Sequence, residues 1–214
     1  MRSKFLILLG LLAAFLTLTA ENCILETKEV EVPVRDGEEV TFTTQGNDEH
    51  SGEETVDFTE TLLELEEDND FEALLAANIE AGYWRVVENR GDDDLIISGS
   101  VTVTRLNPSA GSVLALAGNT EPLITYTSVA IDTATGAYKL APLNGAGVAL
   151  LNEGFDEYLQ ARAQGQPVPD LQYRFDWSGM ATSPSGDPDT DFDWQAKVKF
   201  ILTGLVTVDV PDPF

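Results

Sequence analysis

Histidine and cysteine are almost missing from this chain, which carries one of each, His50 and Cys23, in 214 residues. A single cysteine excludes an intramolecular disulfide framework. A single histidine, in an acidic and glycine-flanked loop, leaves His-based triads without support. Zinc, which draws on thiolates and imidazoles, has almost nothing to bind. Basic residues are scarce as well: 12 Lys and Arg stand against 37 Asp and Glu, a formal net charge of −25. That balance excludes sequence-independent nucleic-acid binding, which needs a basic face to release counterions from phosphates. Attraction to an anionic lipid surface is disfavoured for the same reason. The sequence has no Gly-x-Ser-x-Gly elbow, no Ser-x-x-Lys dyad and no phosphate-binding Gly-Lys-Ser/Thr loop. Gly145-x-Gly147 lacks the rest of a dinucleotide fingerprint. What is plentiful is apolar: 43% of residues are hydrophobic and 8% aromatic, enough to bury a core.

The first residues read as a leader. Arg2 and Lys4 precede an apolar run from Phe5 to Ala20, too short for the roughly 20 residues that span a bilayer. A basic start, an apolar stretch and a small residue at its end describe a secretory signal peptide over residues 1–20. A single acidic β-rich domain over 21–214 is expected to follow, exported to the cell envelope, the periplasm or outer-membrane surface, or the extracellular space. Cys23 lies just beyond the run, where bacterial lipoproteins carry the cysteine that receives the lipid. The N-terminus thus resembles secreted proteins and lipoproteins, although Ala20-Glu21-Asn22-Cys23 departs from the lipobox at its first and third positions. The resemblance implies lipidation at Cys23 and attachment to a membrane through that anchor alone. The abundance of Asp and Glu beside only five lysines also resembles the proteins of salt-loving microbes.

Period-two alternation dominates the rest and predicts half-buried strands. Val30, Val32 and Val34 alternate with polar residues, and Asp36-Gly37 predicts a turn that makes 28–45 a hairpin. Val56 and Phe58 open another strand, and 83–88, 95–105 and 122–131 continue the set, with Trp84 on a core face between Tyr83 and Arg85. Leu171, Tyr173, Phe175 and Trp177 form one apolar face; Phe192, Trp194, Ala196, Val198, Phe200 and Leu202 form a second. Paired antiparallel, these last two strands would set Trp177 opposite Phe192 and Phe175 opposite Trp194, keeping Lys197 and Lys199 off the aromatic face. Helical spacing appears in 69–81 (Phe71, Leu74, Leu75, Ile79, closed by Gly82) and in 147–163 (Leu151, Phe155, Tyr158, Leu159, Arg162, stopped by Gly165). The expectation is a mainly-β or α+β fold, an antiparallel sandwich with two amphipathic helices packed on it. A recurring strand–helix–strand order around 55–88 and 136–178 hints at internal duplication.

Hard-cation binding is the one chemistry with a local pattern. Asp187, Asp189, Asp191 and Asp193 place carboxylates at alternate positions after Gly186, as calcium turns do. The sixth and twelfth positions of an EF-hand loop would fall on Phe192 and Val198, so that module is excluded. Calcium is the only cofactor the sequence puts forward. Asn47, Asp48, Glu49 and Glu53 form a looser cluster, and Asp92-Asp93-Asp94 reads as a turn. The functional expectation is a non-enzymatic binding or structural protein whose partner is a protein or a glycan. Two alternatives have concrete requirements. A carrier of a hydrophobic ligand needs a cavity lined by Phe155, Tyr158 and Leu159. A carboxylate hydrolase needs two acids converging in a cleft, one with a raised pKa.

Overall fold

Alternation buries one face of a strand and wets the other, and among the described residues it is realised in eight strands. The structure, a computed structural model, describes residues 25–44, 49–108, 120–184, 186 and 189–211. Val30–Val206 form one compact unit, while Met1–Glu29 and Thr207–Phe214 form another whose described residues are strand termini. The strands are β1 (Leu25–Thr43), β2 (Glu49–Asp57), β3 (Ala73–Asn89), β4 (Ile96–Arg105), β5 (Thr120–Ala130), β6 (Lys139–Ala141), β7 (Gln172–Thr182) and β8 (Phe192–Pro211). Helices α1 (Phe58–Asp68), α2 (Ile131–Ala134) and α3 (Gly145–Ala163) interrupt them. Two four-stranded sheets result, in the orders β1-β8-β3-β6 and β2-β7-β4-β5. The chain changes sheet at every step except β4 to β5, which is the jelly-roll form of the antiparallel sandwich. The expected fold class is therefore the observed one. Among the described residues, no helix is long and apolar enough to cross a membrane.

The core lies between the sheets and falls into two aromatic groups. Trp177 on β7 stacks on Trp194 of β8 at 5.1 Å and 11°. Phe42, Trp84 and Tyr126 complete this group, with Trp84 stacked on Tyr126 at 4.6 Å. The second group surrounds Phe58 at the head of α1, in edge contact with Phe155 of α3, Tyr173 of β7 and Phe200 of β8. All three tryptophans are buried.

Helix α1 starts where the Asp57 carboxylate accepts from the Thr59 and Glu60 amides, and Asn69 closes it by donating to the Leu65 carbonyl. In α3 the Asn144 side chain accepts from the Ala146 amide, and Gly165 ends the helix at φ +63°. Close approach shapes α3 as well. A Cβ on Gly147 would come within 2.9 Å of the Leu123 Cα, and one on Gly154 would collide with the Tyr173 hydroxyl. Since β6 has only three residues, much of β3 would be a bare edge, but Asn152 of α3 accepts from the Ile79 amide there at 2.9 Å.

Three sequence expectations are corrected. The strands at 172–182 and 192–211 are not a hydrogen-bonded pair: β7 lies between β2 and β4, and β8 between β1 and β3. Their aromatic faces meet across the sandwich instead, which keeps Trp177 against Phe192 and Trp194 without a shared ladder. Asp36-Gly37 makes no turn, because β1 runs straight through it. The glycine is needed there for room, since the stems of Lys197 and Lys199 lie within 3.1 Å of where its Cβ would be. The helix expected over 69–81 belongs instead to 58–68, and Ala73–Asn89 is a strand. Strand β3 has register shifts at Leu74/Ala76, Ile79/Ala81 and Val86/Glu88. Each bulge inserts a residue and breaks the two-residue period, so the apolar spacing imitates a helix.

The two strand–helix–strand segments are β2–α1–β3 and β6–α3–β7, and each carries the chain from one sheet to the other. The first strand of each pairs antiparallel with the second strand of the other, Val56 facing Tyr173 and Tyr83 facing Leu140.

Candidate functional site

The outward face of the β1-β8-β3-β6 sheet collects a set of side chains that the composition makes unexpected. Register sets Tyr83 beside Lys197, Arg85 beside Gln195 and Ala81 beside Lys199. Because Trp84 and Val86 point inward, Tyr83 and Arg85 must point out. Gln195 is the hub. Its amide oxygen accepts from Arg85 Nε at 2.9 Å and from the Tyr138 hydroxyl at 2.7 Å. Its nitrogen donates to Glu39 at 3.1 Å and to Thr41 at 3.2 Å. Lys197 pairs with Glu39 at 2.7 Å, and Arg35 with Glu80 at 2.8 Å. The Arg85 guanidinium sits over the Tyr138 ring at 4.3 Å, and the Lys199 ammonium over Tyr83 at 5.0 Å.

These two cations differ from most of the others, although Lys139 of β6 likewise makes no ion pair with a described carboxylate. Arg35, Arg90, Arg105, Arg162, Arg174 and Lys197 each hold a carboxylate. Arg85 and Lys199 have no carboxylate within ion-pair distance among the described residues, and face tyrosines instead.

The network also shifts ionisation. The Glu39 carboxyl is held below the usual range, chiefly by its hydrogen bond with Lys197. Burial, reinforced by Glu39, pushes the Tyr138 phenol up to about 12. A raised phenol pKa means that the neutral form is favoured in the fold. Its contribution is full below the ordinary value near 10 and is lost as pH rises through about 12. Tyr138→Phe is therefore expected to flatten the alkaline limb of a melting-temperature profile between about pH 10 and pH 12. An unchanged limb in the variant would show that Tyr138 contributes nothing to it.

The acidic turn expected to bind calcium lies elsewhere. Asp187, Cys23, and the leader over 1–20 are outside the described residues. Asp189 is exposed; its amide donates to Asp92 at 3.0 Å, which ties the 92–94 turn to this loop. Asp191 and Asp193 close on Arg90, at 2.8 Å and 3.0 Å, with Glu88 on the same guanidinium at 2.8 Å. Asp193 is held low by Arg90 and then by Thr43. Of the three described positions, Asp191 and Asp193 share Arg90, and Asp189 is tied to Asp92. Among the described residues, no group of three or more His, Cys, Asp or Glu is arranged to hold a metal ion. Of the looser cluster, Asn47 and Asp48 are not described, and Glu49 and Glu53 are exposed on β2.

The other titratable clusters are built into the interior around α3. Arg105, 1% exposed, makes a two-pronged pair with Glu157 at 2.7 and 3.0 Å. Tyr158 donates to Glu66 at 3.1 Å, and Arg162 closes on the same carboxylate. The phenols of Tyr158 and Tyr173 are driven upward, mainly by burial. Phe155 and Tyr158 are fully buried, and Phe155 packs on Phe58 and Phe200 with ring centres 5.5 and 5.7 Å apart.

Alternation around Trp84 exposes Tyr83 and Arg85 in the sequence itself, and two of the five lysines sit at 197 and 199. Tyr138 carried no such signal, since it stands outside any strand and reaches the face only through the β3–β6 pairing.

No protein-family model matches the chain. No curated protein matches it either. Among solved structures it is similar to one of desmodium yellow mottle tymovirus, with 8% identity, a TM-score of 0.33, and 94% of this chain and 99% of that chain covered. It is also similar to one of turnip yellow mosaic virus, with 9% identity, a TM-score of 0.28, and coverage of 85% and 98%. A third, of the infectious bursal disease virus Gt strain, gives 11% identity, a TM-score of 0.28, and coverage of 88% and 43%.

Proposed function

We propose that this chain is an exported, non-enzymatic binding domain of the cell envelope or extracellular space, tethered through Cys23 where its leader directs lipidation. It meets its ligand with the outward face of the β1-β8-β3-β6 sheet. The observation that carries the reading is the pair Arg85 and Lys199. In a chain with 37 acids, these two cations stay without a carboxylate while lying over tyrosines on one rigid surface. A cation left available in so acidic a molecule is poised for a charge supplied from outside. The sheet holds it in a fixed geometry, which lowers the ordering cost of binding.

Sedimentation with an envelope fraction of the native host tests this. A chain carrying Cys23→Ser, which cannot be lipidated, is expected to pellet with the fraction, and the same chain with Arg85→Gln/Lys199→Gln to lose at least five-fold of that binding. Arg174→Gln/Asp176→Asn, on the opposite sheet, should bind as the Cys23→Ser chain does. Binding that ignores the first double variant, or no binding, overturns the proposal. Intact mass of the native mature protein checks export: loss of residues 1–20, or a diacylglycerol adduct on Cys23, is expected. A full-length unmodified chain would refute it.

A further inference from the structure

Asparagine followed by glycine is a chemically fragile pair. The glycine amide nitrogen, unshielded by a side chain, can attack the asparagine Cγ and close a five-membered ring. Of the nine asparagines in this sequence only Asn144 precedes a glycine, Gly145. The fold leaves that pair accessible. Asn144, Gly145 and Ala146 are exposed at the start of α3, and among the described residues nothing lies within 4 Å of where a Cβ on Gly145 would be. Gly145 is the first helical residue, so no carbonyl of α3 accepts from its amide. Two hydrogen bonds steady the junction. The Ala146 amide donates to Asn144 Oδ1 at 2.9 Å, and the Val148 amide to the Asn144 carbonyl at 3.1 Å. Opening the first turn of α3 releases both, and a helix end opens far more often than the whole fold does.

We infer that Asn144 is a self-modification site, converted in the folded protein to aspartate and isoaspartate through a succinimide closed by the Gly145 amide. The Gly145 nitrogen gives its proton to solvent and bonds to Asn144 Cγ. The Cγ–Nδ2 bond then breaks, and the side-chain nitrogen takes up a proton and leaves as ammonia. Water opens the ring at one of its two carbonyls. Attack at Cγ breaks the new bond and gives aspartate; attack at the Asn144 backbone carbon breaks the original peptide bond and gives isoaspartate, whose main chain runs through Cγ. One water is consumed, one ammonia is released, and no electrons are transferred. The other junction able to close such a ring, Asp36-Gly37, is held inside β1. A Cβ on Gly37 would lie 2.9 Å from the Val198 carbonyl oxygen, and the Gly37 amide already donates to the Asp36 carboxylate at 2.8 Å.

The two products act on α3 in opposite directions. Aspartate caps a helix as well as asparagine does and adds a negative charge where the helix dipole favours one. Isoaspartate adds a carbon to the main chain at a place without slack. The Asn144 amide donates to the Leu123 carbonyl at 2.8 Å, and three residues further on a Cβ on Gly147 would come within 2.9 Å of the Leu123 Cα. An isoaspartate at 144 therefore frays the first turn of α3, the helix whose Asn152 covers the Ile79 amide on the edge of β3.

Peptide mapping by mass spectrometry tests this on the full chain kept warm in mildly alkaline buffer. The peptide holding residue 144 should gain about 1 Da and split into aspartate and isoaspartate forms, faster at higher pH, while the other asparagine peptides and Asp36-Gly37 stay unchanged. Gly145→Ala should slow the conversion at least ten-fold. Alanine fits the open space there and favours a helix, so this variant folds. Asn144→Asp should melt no lower than the wild type, and the isoaspartate form, separated by ion exchange, should melt lower. Urea added below the unfolding transition separates local opening from global unfolding. The rate should hardly change while the unfolded fraction rises many-fold. No conversion at 144, equal conversion in Gly145→Ala, or a rate that tracks the unfolded fraction overturns the inference.

Discussion

Trp194→Ala is expected to destabilise the protein by about 3–5 kcal/mol, the range for truncating a buried large aromatic. Trp194 is fully buried and touches Trp177, Trp84, Tyr126 and Phe42, so its removal opens a cavity where both sheets meet. The sharper test uses phenylalanine. The Trp194 indole N–H is buried with no hydrogen-bond partner among the described residues, whereas Trp177 Nε1 donates to the Tyr126 hydroxyl at 2.8 Å. Trp194→Phe removes an unsatisfied donor together with some volume, and the two effects oppose each other. Trp177→Phe removes a similar volume and strips Tyr126 of its donor in a buried place. The Trp177 variant should therefore be less stable than the Trp194 variant by about 1–3 kcal/mol, the cost of a stranded buried polar group. Urea denaturation at neutral pH, with the slopes compared, gives the difference. Equal midpoints would mean that the Tyr126 hydrogen bond contributes no net stability.

The same tryptophans show what could be read from the sequence and what could not. Alternation identifies which face of a strand is dry, and for 171–177 and 192–202 it did so at every position. It carries no information about which strand lies alongside. Two dry faces satisfy each other equally well as neighbours in a ladder or as opposing walls of a sandwich. Consecutive strands favour the first arrangement, and the jelly-roll winding imposes the second.

Helix α1 was hidden for a different reason. Phe58, Leu62 and Leu65 have helical spacing, and Asp57 is a good cap. The preceding Val56 and the strand-like phase at Phe58 masked both. For the site, Tyr83, Arg85, Lys197 and Lys199 were visible as outward residues of two strands. Their convergence was not, since it depends on the β3–β8 register, and three bulges keep simple counting from giving it.

Glu157→Leu is expected to cost about 3–5 kcal/mol, and Arg105→Met distinctly less. Removing one member of a buried ion pair leaves the other uncompensated, and the penalty depends on whether the survivor can reach water or change its charge. Arg105 can do neither: its side chain is 1% exposed and guanidinium stays protonated. Burial lowers its pKa, but the hydrogen bonds it donates to Glu157 more than reverse that, so the net shift is upward. Glu157 has 21% of its side chain in solvent, which gives its carboxylate water when the arginine is gone. The Arg105 Nε also has no partner among the described residues, so Glu157 provides the hydrogen bonds that make this burial tolerable. The double variant Arg105→Met/Glu157→Leu should recover most of the loss, because an apolar pair of similar volume needs no compensation. A double-mutant cycle by urea denaturation measures all three. Equal costs for the two single variants, or a double variant as unstable as the sum of both, would mean that the burial of Arg105 does not govern this corner of the sandwich.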